Sequence, residues 1–440
     1  MTTIYALSSG HGKAGVAVIR VSGAAAGDVL RSLAGAIPSP RAASLRPLRD
    51  PGTGQLLDNS LIIWFPAPAS FTGEDVAELQ IHGGRAVIEA VFGALGAIPG
   101  LRPAEPGEFA RRAFENGKLD LTEAEGLADL IDAETEAQRR QALRQSSGAL
   151  RKLYDGWRSW LVEALAAIEA ELDFSDEGDV PEAVAARARS VVGALRDEIA
   201  AHLADRRGGE ILRDGFRVVI AGPPNAGKSS LMNALARRDV AIVSEEAGTT
   251  RDVIEVRLDL GGFPVILMDT AGIREAAGAI EQEGIRRALD RAREADLVLW
   301  IADATAPGDA DPRGLDLPSG VPVLKAINKI DIATAAPAED ALPLSIRTGE
   351  GLDRLIGELT KAAETAADVG ESPAITRARH RRELERCAAA LCGFLNGDFG
   401  DLELRAEDLR TAAAALGRLT GRVDVEDILD KIFADFCIGK

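Results

Sequence analysis

Residues Phe216 to Ala221 form an apolar run that leads straight into Gly222-Pro223-Pro224-Asn225-Ala226-Gly227-Lys228-Ser229. This fits G-x-x-x-x-G-K-[ST] in full, and a helical pattern follows from about Ser229. Strand, glycine-rich turn and helix in that order commit the surrounding chain to an α/β unit built round a phosphate cradle. Glycines let backbone N–H groups wrap phosphate oxygens, and the helix N-terminus adds positive potential. Lys228 would neutralise the β- and γ-phosphates, and Ser229 would ligate Mg2+.

Two later strand ends select the nucleotide. Pro264 to Met268 runs into Asp269-Thr270-Ala271-Gly272, where Asp269 is placed to hold Mg2+ and Gly272 to offer its N–H to the γ-phosphate. Val321 to Ile327 runs into Asn328-Lys329-Ile330-Asp331. A carboxylate at Asp331 accepts from both N1 and N2 of guanine, and adenine presents no such pair. In order with the phosphate loop, these motifs select GTP over ATP. Ser345-Ile346-Arg347 reads as the loop backing the base, where guanine-nucleotide proteins usually carry Ser-Ala-Lys, so Ile346 departs from that pattern. Gly248-Thr249-Thr250-Arg251-Asp252 lies before the next strand, and Thr250 there would reach Mg2+ only while the γ-phosphate is present, as in a switch loop. The expected nucleotide contacts are therefore Asn225, Ala226, Gly227, Lys228, Ser229 and Ser230 of the phosphate loop. Ser244, Glu245, Glu246, Ala247, Gly248, Thr249 and Thr250 belong to the switch. Asp269, Thr270, Ala271 and Gly272 follow, then Asn328, Lys329, Asp331, Ser345, Ile346 and Arg347. Many GTPases place a water-orienting Gln just after D-x-x-G. Here the residue is Ile273, and Arg251 and Arg274 are the nearby cations.

The rest of the chain organises around this unit. With 440 residues, about three domains are expected. Residues 1–117 alternate strand-like runs (GVAVIRVSG, LDNSLIIWF, DVAELQIHGG) with helical patterns over Ala24–Leu33 and Arg85–Leu95, an α+β domain. Residues 118–212 are helical: Leu150, Leu153, Trp157, Leu161, Leu165, Ile168 and Leu172 step by three and four. Residues 213–370 alternate strand and helix with a mainly parallel sheet expected, and 371–440 is helical again, with the Ala-rich 332–341 stretch as a loop. Helical stretches on both flanks predict one helical domain with the α/β domain inserted in it.

Composition excludes several classes. The net charge of −18 argues against gripping nucleic acid by charge alone. Three cysteines (Cys387, Cys392, Cys437) make no disulfide framework, and without a C-x-x-C pair no structural zinc site is expected. As a lone thiol in its stretch, Cys437 is either a nucleophile or a small buried residue, and burial, the usual fate, is the expected one. The N-terminus lacks a signal-peptide pattern, and apolar runs such as Leu297–Ile301 fall far short of the ~18 residues that cross a bilayer. The expected setting is soluble and cytoplasmic. Lysine is scarce, nine against 42 arginines, and two of the nine (Lys228, Lys329) fall on the nucleotide motifs.

Outside the nucleotide motifs, Arg20 in AVIRVSG stands before Phe71-Thr72-Gly73-Glu74-Asp75 running into ELQIHGG. Pro106-Gly107-Glu108-Phe109 then runs towards NGKLDLTEAE, and the chain ends in Phe436-Cys437-Ile438-Gly439-Lys440. Over essentially its whole length the chain resembles the MnmE (TrmE) family of tRNA wobble-uridine modification GTPases. The resemblance implies an N-terminal domain that dimerises and binds a tetrahydrofolate derivative (5,10-methylene or 5-formyl), with Arg20, Glu78, Lys118 and Lys440 at the folate. A carboxylate suits the donor edge of a pterin, and Arg or Lys suits the glutamate tail. His82 in QIHGG is expected to be structural. The resemblance further implies hydrolysis activated by K+, with Asn225 and the backbone of Ser244, Glu246 and Thr249 as ion ligands. Glu281, opening EQEGIRRA, orients water in place of the missing Gln, and Asn225 and Lys228 complete the catalytic set. Two G domains pair when GTP and K+ are bound. The implied partner, MnmG (GidA), carries FAD in a heterotetrameric or larger complex. No G-x-G-x-x-G fingerprint places the flavin here. A ribosome-assembly GTPase and a pure switch without useful hydrolysis are the rival readings. Neither flank has the basic cluster that the first requires.

Overall fold

The computed structural model describes residues 2–10, 12–173, 182–205, 207–242, 255–269, 295–306, 320–333, 340–367, 370, 373–397, 401–423, 426–434 and 436–439. Contacts divide the chain into two compact units, Met1–Ala128 with Ala414–Lys440, and Asp129–Ala413.

The first unit is built on a six-stranded sheet ordered β3-β4-β5-β2-β1-β6. Its strands are β1 (Thr3–Leu7), β2 (Ala14–Ser22), β3 (Ser44–Arg49), β4 (Leu56–Phe65), β5 (Val76–Gly83) and β6 (Leu101–Pro103). All pairs are antiparallel except β1 with β6. Period-two alternation sends Ile19, Val21, Ile62, Leu79 and Ile81 to one face, where Leu30, Leu33, Val91 and Leu95 of the helices Ala26–Ala34 and Arg85–Gly96 cover them. Burying each such aliphatic side chain is worth roughly 1.5–3 kcal/mol. The same alternation places Arg20 and Glu78 on the other face, directly opposite each other across β2 and β5. That face meets Ile4, Ala6 and Phe109. The sequence reading missed β3, and the reason is Pro47: a residue without an N–H is tolerated there because β3 is an edge strand.

The last helix of this unit, Glu426–Ala434, packs Leu429 and Phe433 on Ala110, Leu121 and Ala124, with Phe436 alongside. The tail then continues onto β1. Ile438 bridges Pro106, and the Gly439 carbonyl accepts from the Ser8 hydroxyl at 2.9 Å. At φ +98, Gly439 presses its Cα on the Leu7 carbonyl so closely that an added Cβ would lie 2.1 Å from that oxygen.

The second unit holds another six-stranded sheet, ordered β12-β11-β10-β7-β9-β8. Its strands are β7 (Phe216–Ala221), β8 (Glu255–Leu260), β9 (Phe263–Asp269), β10 (Leu297–Asp303), β11 (Val323–Asn328) and β12 (Leu342–Pro343). Every neighbouring pair is parallel except β8 with β9, in keeping with the expected mainly parallel sheet. β7 lies centrally between β9 and β10, so its carboxyl end opens into the crevice where α/β sheets bind ligands. The helices Ala149–Asp173 and Glu182–Leu203 pack together, and Glu182–Leu203 also packs on Ala378–Asn396. Helices from before and after the α/β segment thus share one bundle. Leu150, Trp157, Leu161 and Ile168 are buried as their spacing predicts, and Tyr154 joins them.

The two chain crossings at the edge of the α/β segment are clamped. The Asp129 carboxylate accepts from Arg213 at 3.0 Å and from Arg377 at 2.7 Å. Gly209 lies against the Ile375 carbonyl, with room for no side chain between. No helix among the described residues is long and apolar enough to cross a membrane.

Candidate functional site

The phosphate loop leaves β7 through Gly222 at φ +149, where a Cβ would sit 2.0 Å from the Ile301 carbonyl oxygen. Asn225 stands at φ +61. Gly227, at φ +107, caps the helix Lys228–Ala236 without a side-chain hydrogen bond, which leaves the first N–H groups facing the loop. Lys228 Nζ donates to the carbonyls of Gly222 and Pro223 at 2.8 and 3.0 Å, so the loop itself holds the charge that phosphates would take over. Burial lowers the Lys228 pKa, against the opposing pull of Asp269. The Ser229 hydroxyl donates to Asp269 Oδ2 at 3.0 Å. Two hard oxygen donors, one in the first turn of the helix and one at the end of β9, are a set that suits Mg2+.

The base side is assembled by Asn328. Its Nδ2 donates to the Ala226 carbonyl at 2.8 Å, and its Oδ1 accepts the Ile346 N–H at 3.1 Å. Its buried amide therefore ties the phosphate loop to the Ser345–Arg347 loop. Asp331 accepts from the Ser345 hydroxyl at 2.6 Å and pairs with Arg347 at 2.7 Å. The Ser345 hydrogen bond and, after it, the Arg347 charge hold its carboxyl below the usual range, against burial. Lys329, at φ +69, pairs with Asp303 at 2.5 Å. Asn225, Gly227, Ser230, Asn328, Lys329, Asp331, Ile346 and Arg347 all line one pocket of about 340 Å3. Ile346 lies against Gly227, so its departure from the usual Ala adds bulk beside the phosphate loop. Ser244, Glu245, Glu246, Ala247, Gly248, Thr249, Thr250, Thr270, Ala271, Gly272 and Glu281 lie outside the described residues, as do Arg251, Ile273 and Arg274.

In the first unit, Arg20 donates through Nε and Nη2 to Glu78 Oε1 at 3.1 and 3.0 Å. The guanidinium also stacks between Phe71 and Phe109, 5.4 and 5.7 Å from their ring centres. Gly73, at φ +79 in the loop after Phe71, lies against Lys118 and Asn116, and Asn116 Nδ2 donates to the Thr72 carbonyl at 2.7 Å. Arg20, Glu78 and Lys118 are therefore gathered round the Phe71–Gly73 loop, with Lys118 exposed. Lys440 lies outside the described residues, although Gly439 before it is seated on β1. Cys437 is exposed, contrary to the burial expected of it. Phe436 and Gly439 make the tail's close contacts, and Cys437 is left pointing away. His82, near the end of β5, pairs with Asp58 at 2.7 Å.

The model of the TrmE N-terminus, described as a GTP-binding protein, matches residues 3–118, and the model of the MnmE helical domain matches residues 121–437. The chain belongs to the MnmE family. Among relatives named tRNA modification GTPase MnmE, that of Parvibaculum lavamentivorans is 59% identical over 444 residues, covering 100% of both chains. That of Rhodospirillum rubrum is 53% identical, over 100% of this chain and 99% of the relative. Among solved structures, the G domain of the T. maritima FeoB transporter is 27% identical over 33% of this chain and 98% of that one, at a TM-score of 0.25, too low to add to the assignment.

Within this MnmE-family fold, sequence reasoning passed over four working residues. Asp303 holds Lys329, and its position at the carboxyl end of β10 was the available signal. Phe71 and Phe109 sandwich Arg20, yet aromatic residues next to loops usually read as core. Arg112 is buried between Glu74 and Glu108 at 2.9 and 2.8 Å, and ties the Thr72–Asp75 loop to the Glu108–Glu115 helix.

Proposed function

We propose that the chain hydrolyses GTP to GDP and phosphate and that this turnover serves tRNA modification in the cytoplasm. The observation that carries this reading is one pocket shared by the phosphate loop and Asp331, whose carboxylate suits the N1 and N2 edge of guanine. Ser229 and Asp269 would hold Mg2+, joined by Thr250 in the GTP state, and the ion would neutralise charge across the β- and γ-phosphates. Asn225 would hold K+ with the backbone of Ser244, Glu246 and Thr249, and this ion would supply the charge that an arginine finger supplies in other GTPases. Lys228 would leave its loop carbonyls for the phosphates. Glu281 would orient the attacking water, a role that Ile273 cannot fill. Phosphate release from GTP should exceed that from ATP roughly a hundredfold or more, the worth of two charge-assisted hydrogen bonds. Equal rates would overturn the reading.

The finer part concerns the one-carbon unit and the partner. In this proposal the first unit pairs with a second copy and binds a tetrahydrofolate derivative through Arg20, Glu78, Lys118 and Lys440. The half-buried Arg20–Glu78 pair, with side chains 19% and 18% exposed, supports it, since it offers a donor and an acceptor to a ring flanked by aromatic faces. MnmG (GidA), carrying FAD, would join this chain to install the (carboxymethyl)aminomethyl group on the wobble uridine. A net charge of −18 fits a division in which the partner grips most of the tRNA. Titration with 5-formyltetrahydrofolate should give an affinity that Arg20→Ala weakens roughly tenfold or more. An unchanged affinity would remove the folate assignment.

A further inference from the structure

A cavity of about 590 Å3 lies where the helices Glu136–Ser146 and Gly208–Asp214, the start of β9 and the end of the helix Leu352–Ala366 come together. It shares no lining residue with the nucleotide pocket. Small side chains (Ala137, Ala149, Ala367 and Ala374) leave the space open. Protein interiors keep few voids larger than a water molecule, whereas small-molecule sites occupy about 300–1,000 Å3.

The lining is divided by chemistry. Leu150, Leu212 and Phe263 give an apolar wall. Arg140 and Arg144 stand one turn apart on the Glu136–Ser146 helix and give a cationic rim. Arg140 has only an exposed contact with Glu136 at 3.3 Å, and Arg144 has no ion-pair partner among the described residues. Gln141 lies between them. Its Nε2 donates to the Gly209 carbonyl at 3.0 Å, which leaves Oε1 buried and without a hydrogen-bond partner.

We propose that this cavity binds a small aromatic anion. The flat apolar body lies against Leu150, Leu212 and Phe263, and a carboxylate, sulfonate or phosphate meets Arg140 and Arg144. The site is independent of the GTPase reading, because none of its residues touches the nucleotide pocket.

The probe 8-anilinonaphthalene-1-sulfonate carries both features: a flat naphthalene ring and a sulfonate. Titrated into the full chain, it should show saturable single-site fluorescence enhancement. The double variant Arg140→Glu with Arg144→Glu should raise its Kd roughly tenfold or more. Thr365→Trp, at an exposed position on the cavity lining, should fill the space and raise the Kd by at least as much. Both variants change exposed side chains, and an unchanged melting temperature verifies their folding. Absence of saturable binding to the wild-type chain, or a Kd within about twofold of wild type in either folded variant, would overturn the proposal.

Discussion

The Ser229 hydroxyl donates to the Asp269 carboxylate across 3.0 Å, so the oxygens at the ends of the phosphate loop and of β9 are already in contact. Both oxygens would hold Mg2+. Ser229→Ala should therefore weaken GTP binding by roughly tenfold or more when Mg2+ is present. In EDTA the variant and wild type should bind alike. Fluorescent-nucleotide titration with and without Mg2+ measures the difference, and a loss that persists in EDTA would mean that Ser229 serves the loop rather than the ion.

Asp331 is held ionised by Ser345 and Arg347, and an acceptor-only side chain is what the guanine edge needs. Asp331→Asn should lower GDP affinity by roughly a hundredfold or more, because an amide offers one acceptor and one clashing donor. Xanthosine diphosphate, which carries a carbonyl at C2, should gain affinity in the same variant. Competition binding with the two diphosphates gives the answer. A variant that still prefers guanine would remove Asp331 as the base reader.

Arg112, 4% exposed, satisfies both Glu74 and Glu108 and also donates to the Thr2 carbonyl at 2.9 Å. Arg112→Ala should cost about 3 kcal/mol in urea unfolding, since it leaves the part-buried Glu74 without its ion-pair partner, while Glu108 keeps Arg102. Burial works to raise the Glu108 pKa, but Arg102, the Glu105 N–H and Arg112 overcome it and bring it down to about 2. Its contribution is complete above its ordinary value of 4.5 and is lost as the pH falls through about 2. Acid titration of the wild type should show that loss, and Arg112→Ala should show less of it.

His202 lies among Tyr154, Trp157 and His380, with Asp205 and Arg381 nearby. Burial pushes its pKa down to about 4; Asp205 opposes the shift, and His380 and Arg381 add to it. The unfolded chain therefore binds the proton first. Stability should be unaffected above the ordinary value of 6.5, fall as the pH drops below it and level off below about 4. Melting temperatures across this range, compared with His202→Gln, should show a shallower slope in the variant. An equal slope would assign the acid sensitivity to another group.

The nucleotide site was legible in the sequence because each of its motifs ends an apolar strand of a parallel sheet, and carboxyl ends of such strands converge. The roles within it were less legible. Asn328 lines the pocket, but the bridge its amide makes from Ala226 to Ile346 depends on how two distant loops fold back. The Arg20–Glu78 pair was legible only through the family resemblance, because in sequence Glu78 is one polar position of an alternating strand. Cys437 ran against expectation, since docking of the tail through Gly439 faces it outward. β3 was hidden by Pro47, which only an edge strand tolerates.

The central claim is hydrolysis of GTP that depends on K+ held at Asn225 and on Glu281 acting on water. It is tested most directly by phosphate release from GTP with Mg2+ in KCl and in NaCl at equal ionic strength, for the wild type and for Glu281→Ala. Turnover should be faster in K+ by at least about an order of magnitude, and Glu281→Ala should bind GTP normally but hydrolyse it hardly at all. Equal, slow rates in the two salts, or normal turnover by Glu281→Ala, would contradict the claim.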